Sequence, residues 1–94
     1  MQTIHGFKLR KLGDEYVLIG ESRELINFDK MITLNESAAF LWQQAEKQTL
    51  DEGTFTTEHL IDALVEEYDI PRDQALKDVT ATIAAFAQSA IIAE

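Results

Sequence analysis

The stretch "MITLNESAAFLW", residues 31–42, runs a strand pattern straight into a helix pattern. Ile32 and Leu34 fall on one parity, as in a strand with one buried face. Leu34, Ala38, Leu41, Trp42 and Ala45 then recur at helical spacing, leaving Glu36, Ser37, Gln44 and Lys47 to solvent. Between the two patterns lies a doubly marked helix start. Thr33 with Glu36 fits a capping box, and Asn35 is an alternative cap. A strand joined this tightly to a helix raises the question of what the strand's free edge is for.

Upstream, "FKLRKL" at 7–12 sets Phe7, Leu9 and Leu12 loosely against Lys8, Arg10 and Lys11, the mark of a half-buried strand. Gly13 and Asp14 make a turn into "EYVLI" at 15–19, whose β-branched and aromatic residues complete an antiparallel hairpin. A third extended region covers "ELINFDKMITL" at 24–34. There Ile26, Phe28, Ile32 and Leu34 share a face with Lys30, which predicts a kink or bulge near Asp29 and Lys30.

Downstream, "QTLDEGTFT" at 48–56 reads as a loop. A second helix follows a Thr56 or Thr57 cap and turns Leu60, Ile61, Leu64, Val65 and Tyr68 inward, with Glu58, Asp62, Glu66 and Glu67 outward. Pro71 suits the first turn of a third helix, where its missing N–H is no loss. Leu76, Val79, Ile83, Phe86 and Ala90 are its expected core stripe. Its outer surface turns small and uncharged along its length, through Thr80, Ala81, Thr82, Ala84, Ala85 and Ala87. Either alanine serves helix propensity there, or something packs closely against it. The expected architecture is α+β: a three-stranded antiparallel sheet followed by three helices, one domain over residues 1–94.

Composition narrows the function. Seventeen acidic against eight basic side chains give a formal charge of -9, poor footing on nucleic acid or an anionic membrane. The basic run Lys8, Arg10 and Lys11 meets Asp14 and Glu15 at once and reads as a solvated strand edge. Without cysteine there is no disulfide framework, thiolate metal site or thiol nucleophile, which suits the cytoplasm. The N-terminus lacks the apolar core of a signal peptide, and the weakly polar run 79–93 is too short and polar to span a bilayer.

Nor does the chain carry catalytic motifs. Its four glycines are isolated, so no phosphate-cradling loop exists. His59 and Asp62 share a helical face without a third ligand and read as a surface pair. His5 falls in a terminus expected to fray. Ser22, Ser37 and Ser89 have no histidine at a suggestive spacing, and Trp42 and Phe86 read as core. We therefore expect no catalytic residue, metal or cofactor, and a chain that binds rather than catalyses. Two helices beside a small sheet also describe a winged helix-turn-helix, so a DNA-binding regulator is the alternative. A third helix offering Arg72 and Lys77 beside Asp73 and Asp78 fits that role poorly.

"EYVLI", "MITLNESAAFLW", "TTEHLIDALVEEYDI" and the long amphipathic third helix together resemble the coenzyme PQQ synthesis protein D family, also called RiPP recognition elements, over roughly residues 7–92. "LNESAAFLW" carries most of that resemblance. It implies a winged-helix-like, non-enzymatic peptide chaperone. A precursor's leader segment would add as a strand to the third strand and lie against the third helix, to be presented to a modifying enzyme, commonly of the radical SAM type. The implied contacts are Phe28, Asp29, Lys30, Met31, Ile32 and Thr33 on the strand, and Asp78, Val79, Thr82, Ile83 and Phe86 on the helix. Glu24, Asp29 and Lys30 would discourage self-pairing of the open edge, leaving a monomer or weak dimer. Two departures stand out: a longer "KQTLDEGTFTTEHL" segment, and Ala90 where a helix-ending glycine is frequent.

Overall fold

The computed structural model describes residues 1–20 and 31–93. In chain order these form β1 (Gln2–Thr3), β2 (Phe7–Leu12), β3 (Glu15–Gly20), β4 (Met31–Leu34), α1 (Glu36–Glu52), α2 (Thr57–Tyr68), α3 (Arg72–Gln88) and β5 (Ile92–Ala93). The architecture is α+β, a three-stranded antiparallel sheet of order β2-β3-β4 followed by three helices. The proposed kink at Asp29 and Lys30, and the extended reading of 24–30, lie outside the described residues.

The β2–β3 hairpin turns at Gly13 and Asp14. Gly13 takes φ 64, the left-handed conformation a tight two-residue turn demands of its first residue. The register pairs Leu9 with Leu18 and Leu18 with Ile32, so Phe7, Leu9, Tyr16, Leu18, Ile32 and Leu34 share one face of the sheet. That face packs on Ala39 and Trp42 of α1, Phe86 of α3 and Ile91. A second cluster lies among the helices: Leu41, Ala45, Phe55, Leu60, Ile61, Leu64, Ala75 and Val79. Burial of these apolar surfaces drives the fold, at about 25 cal/mol per Å².

Helix starts follow local chemistry. Asn35, rather than Thr33, caps α1: its side chain accepts from the Ala38 N–H at 2.8 Å, while Thr33 stays in β4 opposite Val17. Thr56, rather than Thr57, caps α2 by accepting from the His59 N–H. Pro71 stands one position before α3 and contributes no side-chain hydrogen bond there.

Four expectations require correction. Residues 48–52 are the last turns of α1 and not loop. No glycine or proline interrupts that segment until Gly53, which ends the helix at φ 85 with its N–H on the Thr49 carbonyl. The true loop is 53–56, and it hides Phe55 in the helical cluster at 1% exposure. Leu76 is 49% exposed and does not belong to the core stripe. Ala75 is buried against α2 in its place, because a small side chain lets the helices approach and leaves the next position beyond the contact.

Ala90 is also exposed and lies outside α3. It takes φ 60 while the Ala90 and Ile91 N–H groups donate to the Ala87 and Phe86 carbonyls, a Schellman ending formed without glycine. The reversal drops Ile91 into the sheet cluster. Finally, the N-terminus is tied down rather than frayed. β1 pairs with β5, the Phe55 N–H donates to the Met1 carbonyl at 2.7 Å, and the Ile4 N–H donates to Ile91 at 2.9 Å. These partners come from the far end of the chain, so no local pattern announces them.

Candidate functional site: an open strand edge beside a neutral groove

The site follows from hydrogen-bond alternation in the sheet. The two-residue turn makes Leu12 and Glu15 a bonded pair, and along β3 the direction of the main-chain groups alternates. Tyr16 and Leu18 therefore bond toward Leu34 and Ile32 of β4. By the same alternation, the N–H and C=O groups of Met31 and Thr33 point away from β3. Among the described residues no strand pairs with that outer side. Met31 is 63% exposed there.

Beside this edge, β4 and the C-terminal half of α3 diverge around a groove of about 320 Å³. Ile32, Thr33, Leu34 and Asn35 form the strand side, Ala38 of α1 closes the end, and Ala81, Thr82, Ala85, Phe86 and Ser89 form the helical wall. Not one of these carries a charge, in a chain of net charge -9. Ala81, Ala85 and Ser89 recur every fourth residue, a stripe beside the buried one of Ala75, Val79 and Phe86. Small side chains keep the space open. Behind Phe86 the wall is closely packed: its ring meets Trp42 edge-on at 5.8 Å, and Trp42 meets Phe7 likewise at 6.2 Å.

Of the residues expected on sequence grounds, the groove brings together Ile32, Thr33, Thr82 and Phe86. Met31 lies on the open edge. Val79 is fully buried in the helical cluster, and Ile83 packs against that same cluster. Asp78 is exposed, accepts from Gln74 at 3.0 Å and is not among the residues lining the groove. Phe28, Asp29 and Lys30, with the guarding role given to Glu24, lie outside the described residues. Sequence reasoning missed Leu34, Asn35, Ala38, Ala81, Ala85 and Ser89 as lining residues. The uncharged outer face of the third helix was the signal for the alanines, and only its rotation about the helix axis was missing.

Among the described residues no group of three or more metal-binding side chains is gathered, and no helix is long and apolar enough to cross a membrane.

Among the described residues, the chain is an α+β fold whose three-stranded sheet has no strand partner on the outer side of β4 and is flanked there by a groove against the last helix. The family model for coenzyme PQQ synthesis protein D matches residues 15–92, and the chain belongs to that family. Among solved structures, the chain is similar to TbiB1, described in complex with the TbiA(beta) leader peptide. The two share 21% identity with a TM-score of 0.68, covering 100% of each chain. No curated protein matches.

Proposed function

We propose that this chain is a leader-peptide-binding domain, a RiPP recognition element that captures a segment of a ribosomally made precursor and presents it to a modifying enzyme. The observation that carries the reading is the outer edge of β4 lying directly beside the uncharged groove. An incoming strand would bond to the outward main-chain groups of Met31 and Thr33, extending the sheet by one strand. Its alternate side chains would enter the groove between Ile32 and Leu34 on one side and Ala81, Thr82, Ala85 and Phe86 on the other. Family membership supports this reading, as does the leader peptide in the complex with the similar fold. The domain spans 1–94, works in the cytoplasm and acts without catalysis or cofactor. Its enzyme partner is of the radical SAM type or another peptide-modifying class.

Titration of the full chain with its cognate leader peptide tests the proposal. Trp42 is the sole tryptophan and touches Phe86 of the groove wall, so its fluorescence reports occupancy. Amide shifts should concentrate at 31–35 and 81–89. Ala85→Trp fills the groove and should weaken binding at least about a hundredfold, more than two units of 1.4 kcal/mol. Shifts confined to α2, or unchanged affinity in Ala85→Trp, would refute the reading.

A further inference from the structure

A second cavity, of about 250 Å³, opens between the sheet and the N-terminal half of α1, lined by Tyr16, Glu36, Ala39, Phe40, Gln43, Glu67 and Tyr68. Its chemistry is the reverse of the groove's. Three aromatic rings and two carboxylates face it, and no lysine or arginine lines it. The rings are held in place: Phe40 and Tyr68 meet edge-on at 5.7 Å. Burial, then the charges of Glu36 and Glu67, push the Tyr68 hydroxyl above its ordinary range, so the walls stay neutral rings under a negative field. Tyr16 already serves as a platform for positive charge, since Lys11 holds its ammonium 5.9 Å from that ring's centre.

We propose that this pocket is a binding site for an arginine side chain of a partner polypeptide. A guanidinium is planar, so it stacks on Tyr or Phe while its N–H fork meets a carboxylate, and it gives up hydration more readily than an ammonium. The volume admits one such side chain, and net charge -9 draws it in. Position separates this site from the leader groove. On α1, Glu36, Phe40 and Gln43 fall roughly 140–200° around the axis from Ala38, which lines the groove, and Ala39 about 100° from it. The two sites share no lining residue and can be filled together. The proposal does not depend on the leader reading.

The test is an amide-shift titration of the full chain at low salt with N-acetyl-argininamide, against the neutral isostere N-acetyl-citrullinamide. Saturable shifts should gather at Tyr16, 36–43 and 67–68 with the arginine compound alone. The Glu36→Gln/Glu67→Gln double variant, whose remaining spectrum verifies its fold, should bind about tenfold more weakly. Equal response to the citrulline compound, shifts spread across the acidic surface, or undiminished affinity in the double variant would each overturn the proposal. Retention of the arginine response after the leader saturates the groove checks the independence of the two sites, and mutual exclusion would overturn that independence.

Discussion

Helix α3 meets two neighbours in opposite ways. Against α2 it is closed: Ala75 and Val79 are fully buried among Leu60, Ile61 and Leu64. Toward β4 it stands off, and Ala81, Thr82, Ala85 and Ser89 border a space that the described chain does not fill. One helix of 17 residues thus holds a domain together along one stripe and leaves the adjoining stripe free. Tight packing along the one stripe supports the wall that the proposed strand addition would use beside the outer side of β4.

Paired substitutions on the two stripes give the largest contrast. Leu64→Ala in the closed face should cost about 2–5 kcal/mol by chemical denaturation, from lost transfer energy and the cavity left behind. Ala85→Leu in the open face should cost less than about 1 kcal/mol, since the added atoms enter free space. Comparable losses would mean that the two stripes do not differ.

The edge itself can be divided in the same manner, with a somewhat smaller effect. Ile32→Pro removes an N–H that bonds to Leu18 and should destabilise the sheet by about 3 kcal/mol. Thr33→Pro removes one that points outward and should cost about 1 kcal/mol or less, while weakening leader binding about tenfold. Circular dichroism melts beside a leader titration separate these outcomes. Equal destabilisation would reverse the assignment of which groups face out.

The turn that follows α3 sharpens the comparison further, because it swings Ile91 beneath the groove's wall. Ala90 pays for φ 60 without glycine's freedom. Ala90→Gly should therefore stabilise by about 0.5–1 kcal/mol, raising Tm by about 3–6 °C, with no change in the groove.

The smallest effect lies outside both stripes, at Glu46 of α1. Burial raises its pKa above the ordinary carboxylate value, and the nearby charge of His5 lowers it part of the way back. The folded state thus holds this proton more tightly than the unfolded chain. The resulting contribution is complete below the ordinary value of 4.5 and is lost as pH rises through the folded pKa. Glu46→Gln should accordingly raise Tm by about a degree or two at pH 7, and the gain should vanish near pH 4. A gain equal at both pH values would remove burial of the charge as the cause.

Much of this molecule was legible one segment at a time. Hairpin residues 7–12 and 15–19, the buried stripe of α2 and the strand-to-helix joint at 31–42 are encoded by neighbours two to four positions apart, where periodicity and capping act. The family resemblance rests on those same local runs. Phe55, Ala75 and the β1–β5 pairing escaped that reading because each is settled by partners remote in the chain. Leu76 shows the limit: it has the right residue type at the right spacing, but among the described residues no element covers it.

The sequence alone determined the β2–β3 hairpin, the strand-to-helix joint and the three helices in outline, that the outer face of α2 is acidic, and that the third helix has an uncharged flank. Those properties follow from side-chain periodicity and local hydrogen bonding. Only tertiary structure decided how α3 is rotated and how far it stands from β4. That distance is a balance of contacts among α1, α2, α3 and the sheet at once, and it makes a run of alanines the wall of a groove.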